Sequence, residues 1–310
     1  MKNPMVLGLN GFGLEVPDLV QAEHFYRSFG LETEQERDTL RLRSPGRDND
    51  EGLLTAGRDK RLHHVSFYAD STDIAPFADH LRAHSLQVSD KSPAGWRRDG
   101  LWFQDPWGTW INISPHIPTS TRQDSELTEH RSRFADRVDI ALWQEVGPAK
   151  PPLKLGHLLM FTQDWQKAEQ FYCRVLGMRP TDRSAGKVTF LAAGRGVIDH
   201  HCFGLINSTH RGFQHASFQV SSFDQIGLSA LRMQKAGYTE SFGVGRHAIA
   251  SNLFHYSRDP WGSWIEYYAD IDRISDDWVC RDWTDRPYIW GPEWSSEFWS
   301  QQMNGNFEPR

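Results

Sequence analysis

Long apolar runs are missing from this sequence. No stretch approaches the roughly 20 residues that a membrane-spanning helix needs, so no membrane association is expected. The first residues, Met1 to Val16, are broken by Pro4, Asn10 and Glu15. They lack the continuous apolar core and small-residue cleavage site of a secretory leader. Cysteine is scarce: Cys173, Cys202 and Cys280 are widely spaced, odd in number and form no CxxC. That pattern argues against a disulfide framework or a thiolate zinc site and fits a reducing cytoplasm. No basic stretch is long enough to follow a phosphate backbone, and the formal net charge is −6, so nucleic acid is not an expected partner.

What is present is a chain of 310 residues, 38% hydrophobic and 13% aromatic, with 13 tryptophans. That length exceeds one compact core, and the composition is not that of a disordered chain. Two domains are expected.

The chain also repeats itself. AEHFYRSFGL from Ala22 returns as AEQFYCRVLGM from Ala168, an offset of 146. HVSF from His64 returns as HASF from His215, offset 151; DPWGTWI from Asp105 returns as DPWGSWI from Asp259, offset 154. Three matches in one order, with a slowly drifting offset, describe a duplicated module with small loop insertions. The expected division is a first module over residues 1–118, a linker over 119–152, a second module over 153–274 and a Trp-rich arm over 275–310. The linker is polar and proline-bearing, with a short helix expected around Ser132 to Ala141. The arm carries Trp278, Trp283, Trp290, Trp294 and Trp299. Packing over the second module by its indoles is the plain reading; a lid or an interface is the sharper one.

Within the second module, His157 to Thr162 reads as a buried strand. Asp164 can cap the next helix, whose Ala168, Phe171, Tyr172, Val175 and Leu176 form one apolar face, and Gly177 supplies the stop. Val188 to Ala192 reads as a strand. His215 to Val220 alternates, with His215, Ser217 and Gln219 on one face. A second helix is expected over Asp224 to Ala236, and a hairpin over Leu253 to Ser257 and Ser263 to Tyr268. The plan is α+β: two tandem modules, each of two βαβββ units that together curve into a cup.

His157, His215 and Glu266 fall on strands whose inward positions can converge. Two imidazoles and one carboxylate form the facial set used by non-haem Fe(II), which leaves positions open for substrate and O2. A lone strand histidine is more often a hydrogen-bonded core or surface residue. The repeat changes that balance, because the aligned positions of the first module are Gly11, His64 and Asn112, which cannot form the set. One metal site per chain, in the second module, is expected. Tyr256 and Glu266 flank one hairpin, His247 lies 9 positions before Tyr256, and His200 lies 15 positions before His215. A His or Tyr there can take or hold a proton from a bound diol. An aromatic cross-strand contact for Tyr256 and a plain loop histidine for His247 remain equally open at this stage.

Over roughly Leu7 to Ile274, and most closely in GRHAIASNLFHYSRDPWGSWIEYY from Gly245 to Tyr268, the chain resembles the vicinal oxygen chelate (glyoxalase-like) superfamily. Within it, the chain is similar to the type I extradiol catechol dioxygenases of aromatic-hydrocarbon catabolism. The resemblance implies Fe(II), alternatively Mn(II), on His157, His215 and Glu266. It implies His200 as the histidine on the oxygen side, with His201 able to exchange roles through a one-residue loop shift. It places His247 and Tyr256 on the catecholate oxygens. It further implies a catechol-like substrate, O2 as co-substrate, a ring-opened semialdehyde-type product and a homo-oligomer. A metal-dependent glyoxalase-like isomerase or lyase, and a metal-free aromatic-binding module, are the rivals the same fold permits.

Overall fold

The structure, a computed structural model, describes residues 3–122, 139, 141, 147–184, 186–284 and 288–293. The helix expected around Ser132 to Ala141 falls almost wholly outside the described residues, as do Trp294 and Trp299. The first module runs β1 (Gly8–Val16), α1 (Leu19–Phe29), β2 (Glu32–Glu36), β3 (Thr39–Arg43), β4 (Gly52–Ala56), β5 (Arg61–Tyr68), α2 (Ile74–Ala83), β6 (Leu101–Gln104) and β7 (Trp110–Ser114). The second runs β8 (Lys154–Thr162), α3 (Trp165–Leu176), β9 (Arg179–Ser184), β10 (Val188–Ala192), β11 (Ile198–Asp199), β12 (Phe203–Asn207) and β13 (Gly212–Gln219). It continues through α4 (Phe223–Lys235), β14 (Ser241–His247), β15 (Leu253–Arg258), β16 (Trp264–Ala269) and β17 (Arg273–Ile274). The arm adds β18 (Arg281–Trp283) and β19 (Tyr288–Trp290).

Local chemistry sets the element ends. Asp18 accepts from the Val20 and Gln21 N–H groups at 2.8 and 3.0 Å, and Asp164 accepts from Lys167 N at 3.0 Å, so both first helices begin on a side-chain cap. Gly177 ends α3 at φ 68°, a left-handed turn that glycine adopts without a Cβ clash. α4 starts one residue before the expected Asp224, with Ser222 as its cap.

Each module is built on one large sheet, and the second adds the short pair β11–β17. The first has the order β2-β3-β4-β1-β5-β7-β6, the second β18-β9-β10-β12-β8-β13-β16-β15-β14-β19. In the second, the halves β9-β10-β12-β8 and β13-β16-β15-β14 meet at the antiparallel β8–β13 pair. These are the two expected βαβββ units. The first module is one strand short: where a counterpart of β14 would lie, only the bridge Ser89↔Trp102 remains among the described residues. In the arm, Trp278, Trp283 and Trp290 are 36, 39 and 44% exposed, so these indoles pack only partly on the module. Backbone pairing also ties the arm down: β18 joins β9 at one edge of the sheet and β19 joins β14 at the other. That capping removes two open edges.

The two modules share a core. Phe29 stacks on Tyr267 at 3.8 Å, Phe25 meets Tyr238 edge-on at 4.8 Å, and Phe67 meets Phe203 at 5.4 Å. The repeated DPWG turns cross-clasp. Asp105 accepts from Tyr172 of the second module at 2.9 Å, and Asp259 pairs with Lys60 of the first, both fully or nearly buried.

Candidate metal centre

Strand register brings the residues together. Across β13, Ser217 lies opposite His157 on β8 and opposite Glu266 on β16. All three therefore sit on the concave face, side by side. A bulge between Phe213 and His215 then sets Gln214 beside the His215 ring. His215 Nδ1–H donates to Gln214 Oε1, which leaves Nε2 as the lone-pair nitrogen turned to the centre. His157 Nε2 lies 3.0 Å and His215 Nε2 3.5 Å from Glu266 Oε2, and one ligand atom from each residue falls within 4.8 Å of the others. Adjacent donors on an octahedral ion with bonds of about 2.1 Å lie about 3 Å apart. The two His–Glu gaps are close to that spacing and the donor chemistry matches, so these residues fit a single facially bound divalent ion.

Electrostatics agree with the fit. Burial alone would raise the Glu266 carboxyl, but the surrounding histidines, His157 first, outweigh it and hold the group well below the usual carboxylate range. Burial lowers His215 to about 4, so its ring is a neutral donor of lone pairs. Ser217 Oγ donates to Glu266 Oε2 and fixes the carboxylate's orientation.

Around the set, β14 and β15 supply His247 and Tyr256. Their Nε2 and OH are 3.2 Å apart, and His247 Nε2 is 3.5 Å from Glu266 Oε1. Tyr256 packs edge-on against His215 at 5.3 Å. Burial, then the Glu266 charge, push the Tyr256 phenol well above its ordinary range, so it stays protonated as a donor.

His200 is placed differently from the sequence expectation. The turn before β12 is pinned on both sides, by His200 N–H to Asp272 O at 2.8 Å and Cys202 N–H to Leu191 O at 3.0 Å. Its two histidines then point opposite ways. His201 stands 4.6 Å from His157, ring to ring, within the electrostatic reach of Glu266 and His247. His200 turns back, its Nε2 3.0 Å from Asp182 Oδ2 and its ring edge-on to Trp278 at 5.5 Å. The structure thus gathers His157, His215, Glu266, His247 and Tyr256, brings in His201, and leaves His200 one residue behind. Three supporting groups lay beyond sequence reasoning about roles. Ser217 was legible only as a residue on the histidine face. Gln214 depends on a bulge, and Asp182 on a contact between distant strands.

The described helices contain none long and apolar enough to cross a membrane. Residues 154–267 match the Glyoxalase/Bleomycin resistance protein/Dioxygenase superfamily. The chain is 35% identical over 294 residues to metapyrocatechase 2 of Cupriavidus necator, covering 93% of this chain and 90% of that one. It is 26% identical to biphenyl-2,3-diol 1,2-dioxygenase of Paraburkholderia xenovorans, over 72% of this chain and 73% of that one. Its fold superposes on an extradiol ring-cleaving dioxygenase from B. fuscum with a TM-score of 0.79 at 18% identity, covering 99% of this chain and 86% of that one. It superposes equally, at 0.79 and 20% identity over 98% of both chains, on a Mn(II)-bound glyoxalase from Novosphingobium aromaticivorans. Fold alone does not separate those two chemistries, but the extended sequence identity does: the chain belongs to the extradiol ring-cleavage dioxygenases of the glyoxalase/bleomycin resistance protein/dioxygenase superfamily.

Proposed function

We propose that this chain opens a catechol-type ring next to its diol, with both atoms of O2 entering a semialdehyde-type product, at Fe(II) held by His157, His215 and Glu266. Mn(II) is the alternative ion for the same donors. The observation that supports this reading most is the buried facial set itself, with its three ligand atoms within 4.8 Å, in a chain 35% identical to a metapyrocatechase. When bound, the ion would bring diol and O2 to adjacent positions and pass electron density between them.

The protein's part is positioning and proton handling. Tyr256, kept as a phenol, donates toward a diol oxygen, and His247 beside it takes up or returns a proton. His201 faces the site from the opposite side, where it can hold a proton as the ring opens. Ser217 and Gln214 lock Glu266 and His215, so no ligand has to reorganise. The site's ligands are at most 3% exposed, which strengthens every one of these interactions by excluding water.

The test is anaerobic loading with Fe(II) or Mn(II), then exposure to air with simple, alkyl, carboxylated and biaryl catechols. The expected result is one O2 consumed per yellow ring-opened product. Metal binding without O2 uptake on any catechol would favour a glyoxalase-like isomerase. Failure to bind either ion would favour a metal-free aromatic-binding module.

A further inference from the structure

His200 lies outside the ligand set and has no part in the proton handling above, yet it is fully buried and fully engaged. Its backbone is fixed to Asp272 O, Trp278 covers it edge-on and Phe190 lies 6.4 Å away. Its Nε2 is 3.0 Å from Asp182 Oδ2, and its Nδ1 is 3.1 Å from His201 Nδ1. Thr181 Oγ1 is also near Nδ1, at 3.4 Å, but its proton is directed to Phe190 O at 3.1 Å. Asp182, 2% exposed, has its other oxygen on the Arg281 N–H at 2.9 Å.

We propose that Asp182 and His200 are positioning residues that fix the tautomer of His201, leaving its Nε2 as a bare acceptor toward the reacting diol. The inference rests on the ring-cleavage reading for its consequence, though not for its geometry.

The polarity follows from the partners. A carboxylate only accepts, so a singly protonated His200 carries its proton on Nε2, facing Asp182. Its Nδ1 is then a lone pair. A lone pair 3.1 Å from His201 Nδ1 requires the proton on that nitrogen. Thr181 cannot substitute as donor, because its hydroxyl proton is spent on Phe190 O. With Nδ1–H committed, the nitrogen on the opposite edge of the His201 ring, Nε2, has no proton. The chain Asp182–His200–His201 thus sets which end of His201 is basic, as a buried aspartate does for a catalytic histidine elsewhere. No change of charge is involved; only the placement of one proton is.

Asp182→Asn tests this directly. The amide oxygen still accepts from Arg281 N–H, so the strand contact of the arm is kept. The amide nitrogen now donates to His200 Nε2, which moves the His200 proton to Nδ1 and the His201 proton to Nε2. Imidazole ¹⁵N spectra of the metal-free and Zn(II)-loaded 310-residue chain, with His201 assigned by His201→Gln, read the tautomer without turnover. The expected wild-type signature is a protonated Nδ1 and bare Nε2, reversed in Asp182→Asn. With Fe(II) and catechol, that variant is expected to lose at least tenfold in kcat, with KM changed less than threefold and iron content unchanged. His200→Gln can accept from His201 through its carbonyl and donate to Asp182 through its amide, so it is expected to stay within threefold of wild type. His200→Leu fills the same space without polarity and is expected to fall at least tenfold. A His201 proton on Nε2 in the wild type, an unchanged tautomer in Asp182→Asn, or equal rates for the Gln and Leu variants would each overturn the proposal. If no catechol is opened while the tautomers behave as stated, the ring-cleavage reading fails and the tautomer assignment stands.

Discussion

The two modules share one design, and the first shows what the second would be without its His–His–Glu set. Their registers coincide. Ser66 on β5 lies opposite Gly11 on β1 and Asn112 on β7, as Ser217 lies opposite His157 and Glu266. The serine hydrogen bond survives too: Ser66 donates to Asn112 Oδ1 at 2.6 Å where Ser217 donates to Glu266. The charge does not survive. Asn112 spends its amide N–H groups on Asp99 O and Leu101 O, at 3.2 and 3.3 Å. His64 is boxed by Trp96 and Trp102 and accepts from Arg98 Nε at 3.3 Å. Burial, then the Arg98 charge, push the His64 ring well below its ordinary value, so it remains neutral. A Cβ added at Gly11 would meet Arg98 Nη2 at 2.6 Å. A guanidinium stands in the first module about where the second gathers donors for a metal. The lesson is that a cup of this kind keeps its hydrogen-bonded frame when its ligand chemistry is replaced.

The comparison can be broken most forcefully at Glu266. Glu266→Gln gives the second module the amide of the first. It is expected to abolish iron retention and cut turnover by about 10³-fold or more, while Asn112→Ala leaves both unchanged; metal analysis and O2 uptake check this. The converse change, Gly11→His with Asn112→Glu, is expected to leave iron at about one per chain, because Arg98 and the backbone of Asp50 and Glu51 occupy the space. Next in size is the clasp. Asp259→Asn strands the fully buried Lys60 amine and is expected to cost about 3–5 kcal/mol in urea unfolding. Tyr256→Phe should retain metal and lower kcat by about 10²-fold, the scale of one proton-handling contact in a closed site.

The smallest effect belongs to the other clasp. Burial raises Asp105 to about 6 against 3.8 for the free side chain, despite hydrogen bonds from Thr109, Tyr172 and Trp107. The folded form therefore binds its proton more tightly than the unfolded form. The stability this contributes is fully present below about pH 4 and is lost as pH rises through about 6. Asp105→Asn is expected to flatten that slope, by about 2–3 kcal/mol, in unfolding midpoints measured from pH 4 to 8.

Much was legible in the linear sequence. Hydrophobic period and caps placed α3 and β13 closely, and the repeat aligned Gly11, His64 and Asn112 with His157, His215 and Glu266 before any coordinates. Spacing does not decide the turn before β12. His200 and His201 are adjacent there, and no alternation runs through the turn to decide which faces inward. In the arm, five tryptophans suggest packing by side chains, whereas edge pairing is a backbone property that side-chain type does not announce.

By itself, then, the sequence determined the duplicated frame, the asymmetry between its halves and the three candidate donors, since these follow from periodicity and residue chemistry along the chain. Only the tertiary structure decided that His201 rather than His200 lies against His157, that Gln214 sits beside His215 and Asp182 beside His200, and that Arg98 fills the other cup. Those facts depend on which atoms of distant strands come within about 3 Å, a distance that register, bulges and pinned turns set and that spacing in the chain does not encode.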